Sequence, residues 1–525
     1  MHTLQKYSPF FLASVLMCVV VYVLFPYCQY YIDPDSVAYL TIAKRYANGE
    51  TLKAVNGLWS PWSCWLVAVL LKQGMAAMSA AVLVNACGAV GVLYICQSLF
   101  LHYNLERKLQ WMLHIALAIF LSYSVYSQLF EDLWECFLLL STFRVMASDR
   151  YSTRPLLWVA GGIIAAVAYF AKAYSFPFFI LNTVCCTFFL TNAIQKENRK
   201  QWIKICFVTI LVMVLCSGPW LYLLHEKYGK WMASTSGSMN TSISLVGHAI
   251  WKDGIHHLIP PTYADSPYYW EDPYPLIGNM PHFWDSMHLF LLQIVRVGQR
   301  TLQMIVSMNE ISSLLLPTWI LALCIVLSKK VRSHFPESYF LLALTMMLFP
   351  SGFFLAHFEA RYIYYMIPLS MILGVWILGK AIAYTDNKWL SGILPIVFCL
   401  TYICWPVWDM KNMLHEGKEQ LEVAGELQQA RVTGSFASNE TVNKDVQKVA
   451  RIAYYSGNPY YNMETADFSH TELLEEMRKY KVKYYFYFHP EIDSTNYIFL
   501  DEQGKALPEV MNSHITGLKV ILVTP

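Results

Sequence analysis

The chain has 525 residues, of which 56% are hydrophobic and only 14% charged. That is too little charge to cover a soluble globule and too much apolar length for a single core, so the expected class is a multi-pass membrane protein. A formal net charge of +2 supplies no global field for nucleic acid or acidic partners; no nucleic-acid partner is expected, and the charges inform only by location.

Apolar stretches of about 20 residues, long enough to cross ~30 Å of hydrocarbon, lie near 9–27, 80–101, 109–128, 133–147, 155–173, 176–193, 203–223, 311–328, 337–356, 362–383 and 388–408. They predict about eleven spans. No small-residue cleavage site follows the first, which is therefore expected to stay as an anchor with the N-terminus cytoplasmic. On that count Arg107/Lys108, Arg150/Arg154, Lys196/Arg199/Lys200, Lys329/Lys330/Arg332 and Lys388 share one side. This is the positive-inside pattern, and it assigns the other side as external.

The predicted external elements follow in chain order. Residues 34–52 have helical spacing (Val37, Leu40, Ile42, Ala43, Tyr46), and 58–73 is a Trp-rich helix begun by Pro61; both suit the outer membrane surface. A long loop over 225–305, rich in Gly, Pro, Tyr and Trp, lacks long periodicity; such loops bind something or cover a site. Its aromatic density beside Asp, Glu and His suits stacking on sugar rings and suits an interfacial collar equally well. The membrane region is thus expected at 1–409, with external loops 28–79 and 225–305.

After Trp408 the composition becomes soluble. Helical patterns at 416–430, 441–454 and 469–479 alternate with strand-like "VTGSFAS", "VKYYFYF" and "LKVILVTP", predicting a small external α/β domain at 410–525. It carries no glycine-rich nucleotide fingerprint and no P-loop. The 13 cysteines fall in or beside predicted spans and read as small buried residues, with no disulfide framework or zinc knuckle implied.

Ionisable groups near the bilayer cost free energy unless solvated or paired, ~2.5–3.5 kcal/mol at its centre. Four external clusters persist: Asp33/Asp35, Glu131/Asp132 with Glu135 one turn deeper, Lys172 at the outer end of the fifth span, and His357/Glu359/Arg361. Each has a structural reading. "DPDS" can cap a helix, Glu131 and Asp132 can cap the fourth span, Lys172 can snorkel, and Glu359 and Arg361 can close a turn as an ion pair. Capping needs only one aspartate of the first pair. Together the clusters are expected to place carboxylates and cations in one external cavity. Glycosyl transfer from a lipid-phosphate sugar uses that combination: a carboxylate takes the acceptor proton while a cation stabilises the departing phosphate.

The segments "DPDSVAYLTIAKRYANGE", "SPWSCWLVAVLL", "QLFEDLWE", "GPWLYLLHEKYGKWMASTSG" and "HFEARYIYYMIPL" resemble the GT-C superfamily. The likeness is nearest to bacterial relatives of protein O-mannosyltransferases and of the lipid A aminoarabinose transferase (glycosyltransferase family 39-like), and it spans most of 1–409. The resemblance implies an α-helical multi-pass fold and an aspartate in the first external loop acting as catalytic base, here Asp35, with Asp33 second. The Glu that commonly follows that aspartate in the family is Ser36 in this chain. It further implies that Glu131 and Asp132 help bind donor phosphate or orient the acceptor, and that Arg361 approaches the lipid phosphate. Lys172 is assigned a second phosphate contact, with His357 and Glu359 beside it. A divalent metal is left open, with Asp33, Glu131 and Asp132 as its candidate ligands.

The expected function is therefore an integral-membrane glycosyltransferase of the bacterial inner membrane, acting on the periplasmic face. Its expected partners are a polyprenyl-phosphate sugar donor of undecaprenyl type, membrane lipid, and a glycolipid, glycan or protein acceptor. The alternatives are a non-catalytic glycolipid-binding scaffold or sensor, kept open by Ser36, and a transporter or flippase. The latter predicts ionisable or helix-breaking sites at the midplane and repeat symmetry, neither of which the sequence displays.

Overall fold

The computed structural model describes residues 5–127, 129–189, 199–247, 258–277, 280–385, 388–440, 446–463, 469–488, 500, 504–513, 515 and 517–524. Lys196, His256, His257 and 441–445 lie outside the described residues. Each expected apolar stretch contains a helix, although the one at 337–356 is α-helical only to Leu348 and continues as a 3-10 turn over Phe349–Gly352: α1 (Ser8–Cys28), α4 (Ala77–His102), α5 (Arg107–Ser127), α6 (Glu131–Met146), α7 (Pro155–Ala171), α8 (Ser175–Phe189), α9 (Arg199–Tyr228), α12 (Leu315–Leu327), α13 (Glu337–Leu348), α14 (Met366–Thr385) and α15 (Lys388–Met413). The helices expected at 34–52 and 58–73 are α2 (Pro34–Asn48), most of whose residues are buried, and α3 (Pro61–Lys72). The stretch 225–305, read from sequence as aperiodic, holds α10 (Ser236–Val246) and most of α11 (Met287–Ile311).

By length and composition, six of the described helices can cross a membrane: α1, α4, α5, α9, Met366–Tyr384 and the run Trp389–Gln429. The chain is an integral membrane protein. Along α1, Ala13, Met17 and Val21 are buried while Leu12, Val15, Val19 and Val23 are exposed, so one face meets protein and the other suits lipid. Exposed apolar side chains cost nothing in hydrocarbon, and small residues set how closely the helices approach. A Cβ on Gly162 of α7 would lie 2.6 Å from the Thr209 carbonyl oxygen of α9, and one on Gly91 of α4 would lie 2.8 Å from the Phe137 ring of α6.

The chain forms two compact units. The first comprises Met1–Pro26, Ser60–Leu245 and His282–Asn412; the second comprises Tyr27–Trp59, Val246–Pro281 and Met413–Pro525. In the first, α6 packs between α4 and α7, and α7 packs along α9.

In the second, four strands order as β1 (Phe436–Ser438), β2 (Tyr484–Tyr487), β4 (Lys519–Leu522) and β3 (Glu509–Asn512). β1 and β2 run parallel, with Phe436 opposite Tyr484, and both other pairings are antiparallel. β3 was missed from sequence because its polar, mostly exposed "EVMN" shows no alternation. α16 (Lys418–Gln429), α17 (Val446–Ser456) and α18 (His470–Lys479) match the expected helices; Ser469 and Glu472 close a capping box at the start of α18. Leu473, Met477, Val482, Tyr485 and Ile521 build the core. α17 also packs on α2, where Arg451 Nε donates to the Ile32 carbonyl at 2.6 Å and Arg451 Nη1 pairs with Glu416 at 2.6 Å. The segment 27–59 is thus built into the same compact unit as the C-terminal sheet.

Candidate active site

The first unit gathers one ionic cluster at the entry to α6. Phe130, immediately before the helix, adopts φ +108°, ψ −83°, a conformation that strains a residue with a Cβ. Its amide donates to Asn85 Oδ1 at 3.2 Å, and its carbonyl accepts from Ser63 Oγ at 2.9 Å. These two anchors fix the direction in which α6 starts and hence where Glu131 and Asp132 point.

Lys172 arrives from the end of α7. The helix stops because Lys172 turns extended (φ −150°, ψ 126°), its amide bonding back to the Ala168 carbonyl, and α8 begins three residues later. The buried ammonium lies 2.5 Å from Asp132 Oδ1, 3.3 Å from Glu131 Oε1 and 3.7 Å from Glu135 Oε2, with the Tyr362 ring face 4.0 Å away. Ser175 Oγ donates to Glu135 Oε1 at 3.2 Å. Lys172 is therefore held inward by carboxylates and does not snorkel.

Arg361 sits on the short 3-10 turn Ala360–Ile363. Nη1 lies 3.7 Å from Asp132 Oδ2, and Nε pairs with Glu359 at 2.8 Å. His357 Nε2 contacts Glu359 Oε1 at 3.1 Å. Burial works against the Glu359 charge, but the Arg361 guanidinium and the His357 contact outweigh it and hold that carboxyl below the usual range. Asp132 thus has one cation on each oxygen, and its Oδ2 is buried without a hydrogen bond. Six of the eight expected residues, Glu131, Asp132, Lys172, His357, Glu359 and Arg361, belong to this cluster.

Asp33 and Asp35 belong to the second unit. Asp33 is the N-cap of α2, accepting the Ser36 amide at 2.6 Å with Pro34 in the first turn. Asp35 is half-buried and accepts Trp270 Nε1 at 3.1 Å. The Tyr268 hydroxyl donates to the Pro34 carbonyl at 2.6 Å, and its pKa is driven up by burial, then by the charges of Asp35 and Asp33.

The segment 258–277 is held on α2 by Arg45. Its Nε donates to Glu271; Nη1 reaches Glu50 at 2.9 Å and Asp265 at 3.1 Å; Nη2 reaches Glu271 at 3.0 Å and Ser266 and Asp265 at 3.2 Å. Hydrogen bonding from Arg45 is the main cause that lowers the Asp265 pKa. Trp59 Nε1 donates to the Trp270 carbonyl at 2.9 Å, and Tyr39 packs on Trp59.

Sequence reasoning missed Asn85, Ser63, Tyr362, Trp270 and Arg45 as supports. Asn85 had a usable signal, an amide side chain in a long apolar helix. Arg45 and Trp270 lie in segments already singled out, but nothing in their spacing pairs residues about 220 apart.

Among the described residues, no group of three or more His, Cys, Asp or Glu side chains is disposed to hold a metal ion. Glu131 and Asp132 face the Lys172 ammonium, and Asp33 is committed to the Ser36 amide.

No protein-family model matches the chain, and no curated protein sequence matches it significantly. Solved structures do. The apo oligosaccharyltransferase of Archaeoglobus fulgidus aligns with TM-score 0.59 and 12% identity over 93% of this chain and 70% of its own. ArnT from Cupriavidus metallidurans bound to undecaprenyl phosphate aligns with TM-score 0.53 and 11% identity over 98% of this chain and 97% of its own. The apo state of the same ArnT gives 0.54 and 10% over the same shares. Both neighbours are GT-C glycosyltransferases, and the fold of this chain is the multi-pass GT-C fold that its sequence motifs resemble.

Proposed function

We propose that the chain is an integral-membrane glycosyltransferase that moves a sugar from a polyprenyl-phosphate-linked donor to an acceptor hydroxyl, at the periplasmic face of a bacterial inner membrane. The observation that carries this reading is the pair of buried cations, Lys172 and Arg361, each facing a different oxygen of Asp132. Two cations kept close together at the ends of membrane helices are suited to a lipid phosphate, whose chain stays in hydrocarbon. The GT-C fold supports the same chemistry, and one neighbour of that fold is a complex with undecaprenyl phosphate.

Roles are assigned within each unit. Asp33 is engaged as a helix cap, whereas Asp35 is half-buried and oriented by an indole N–H; Asp35 is therefore assigned as general base. It takes the proton of the acceptor hydroxyl as that oxygen bonds to the anomeric carbon. The bond from the anomeric carbon to the phosphate oxygen breaks, and the electron pair leaves with the polyprenyl phosphate. Lys172 and Arg361 stabilise the charge gained there, Glu131 and Asp132 hold Lys172, and Glu359 with His357 holds Arg361.

The test is transfer of labelled sugar from extracted polyprenyl-phosphate sugars by purified wild type, Asp35→Asn and Asp33→Asn, with donor binding followed in the same samples. Asp35→Asn should bind donor and lose transfer by ~100-fold or more, the scale of a lost general base. Unchanged transfer by Asp35→Asn would remove the base assignment. Donor binding without transfer by wild type across a broad acceptor pool would favour a glycolipid-binding scaffold.

A further inference from the structure

The C-terminal part of the second unit holds the backbone that leads into α2. Three carbonyls at the end of α1 and in the link after it receive donors from there: Tyr27 from the His415 amide at 2.7 Å, Tyr30 from the Tyr455 hydroxyl at 3.5 Å, and Ile32 from Arg451 Nε at 2.6 Å. A Cβ on Gly417 would overlap the Tyr30 carbonyl oxygen, so the two stretches of chain pass at backbone distance. Further along, Lys44 of α2 lies 3.9 Å from the centre of the Tyr454 ring of α17. Ile32 directly precedes the α2 N-cap, and Asp35 stands in the first turn.

The same region holds the hydrogen-bond partner of Asp35. Ile259 and Asn462 exchange both backbone hydrogen bonds, at 2.9 and 3.0 Å, and the Tyr460 amide donates to the Pro267 carbonyl at 2.8 Å, three residues before Trp270. Asp35 and the indole that bonds it are thus both tied to residues 451–462.

Among these ties Arg451 is the one that packing does not explain. Its side chain is 3% exposed, its charge meets one carboxylate, Glu416, that is itself 45% exposed, and its Nη2 is buried without a hydrogen-bond partner. A buried guanidinium so incompletely paired is a poor source of stability, and an apolar side chain of similar volume would fill the space as well. An apolar side chain cannot hold the Ile32 carbonyl, whose direction sets the peptide leading into Asp33 and with it the angle at which α2 begins. Misplacing a catalytic group by about 1 Å can cost ~100-fold in rate.

We propose that Arg451 is a positioning residue for Asp35, and that the C-terminal α/β region serves the reaction by fixing the base in place. This role presupposes the assignment of Asp35 as general base under the proposed function.

The test measures sugar transfer and amide hydrogen exchange in peptides covering 27–40 on the purified full chain, for wild type, Arg451→Met, Arg451→Lys, Glu416→Gln, Asp35→Asn and Asp35→Asn/Arg451→Met. Arg451→Met should raise exchange over 27–40 by up to ~10-fold, the scale of one lost hydrogen bond. It should also lower kcat by ~10-fold with the donor KM unchanged, since a displaced base affects the chemical step alone. Arg451→Lys should recover part of the kcat, and Glu416→Gln, which spares the Ile32 contact, should transfer like wild type. Asp35→Asn/Arg451→Met should be no slower than Asp35→Asn, because no base is left to position. Arg451→Lys carries the same two readings, with smaller changes, if Arg451→Met does not fold. Unchanged exchange over 27–40, kcat retained despite raised exchange, or a loss that adds in full to that of Asp35→Asn would each overturn the proposal. Wild-type transfer by Asp35→Asn would remove the base assignment and the positioning role with it; raised exchange in Arg451→Met would then still show the tie to Ile32, which separates the two failures.

Discussion

Arg45 and Lys172 are both buried cations ringed by three carboxylates, one in each unit, yet they are saturated to different degrees. All three nitrogens of Arg45 are bonded, to Glu50, Asp265, Ser266 and Glu271. Lys172 has a close contact only with Asp132, the other two carboxylates standing at 3.3 and 3.7 Å, and Asp132 itself keeps an oxygen without a hydrogen bond. The first arrangement is what a latch needs, because every donor is satisfied and nothing remains to bind. The second leaves polar capacity in a buried place, which is costly for stability and therefore reads as a site.

That contrast fixes the order of expected effects. Arg45→Met leaves Glu271, 1% exposed, without its cation and should destabilise the protein by ~3–5 kcal/mol, seen as a large fall in Tm. Arg45→Lys should recover only part of the loss, since an ammonium cannot reproduce the paired forks. Asp132→Asn should cost less, ~1–2 kcal/mol, because Lys172 keeps Glu131 and Glu135. The same change removes a negative charge facing both cations, so polyprenyl-phosphate binding should tighten several-fold. Weaker binding by Asp132→Asn, or a Tm fall as deep as that of Arg45→Met, would erase the distinction between latch and site.

A smaller effect is expected one layer back. Asn85→Ala removes the acceptor that holds the strained Phe130 amide, at about 1–2 kcal/mol. Because that amide sets the start of α6, donor affinity should fall together with Tm. Loss of Tm with donor binding unchanged would confine Asn85 to a packing role.

Much of this was legible in the sequence, and the limits have physical causes. Hydrocarbon demands long apolar runs, so helices stand out from composition, and six of those described are long and apolar enough to cross a membrane. α11 did not stand out, because its apolar residues alternate with Arg296, Gln299, Arg300 and Gln303, and a hydropathy reading averages the two faces away. The isolated charges at membrane boundaries marked Lys172 and Arg361 correctly as unusual, since each needs partners there. Which carboxylate each would meet depended on the break after Ala171 and on the φ of Phe130, and neither leaves a trace in residue type. The position of Tyr27–Trp59 beside the C-terminal sheet was likewise hidden. It rests on Arg451 reaching the Ile32 carbonyl across 419 positions of chain.

The smallest expected effect concerns the outer edge of the cluster. Glu359 has a folded-state pKa below its ordinary carboxylate value, so protonation favours the unfolded chain. Its contribution to stability is therefore fully present above the unfolded value of about 4.3, and is lost as the pH falls through the folded value. Glu359→Gln should lower Tm at about pH 5, and that difference should shrink as the pH falls toward 3 and below. Asp132 remains near Arg361 in this variant, so the cation stays in place and the Tm difference is small. A difference that instead grew on acidification would mean that Glu359 is held protonated in the fold, and His357 and Arg361 would then have to act without it.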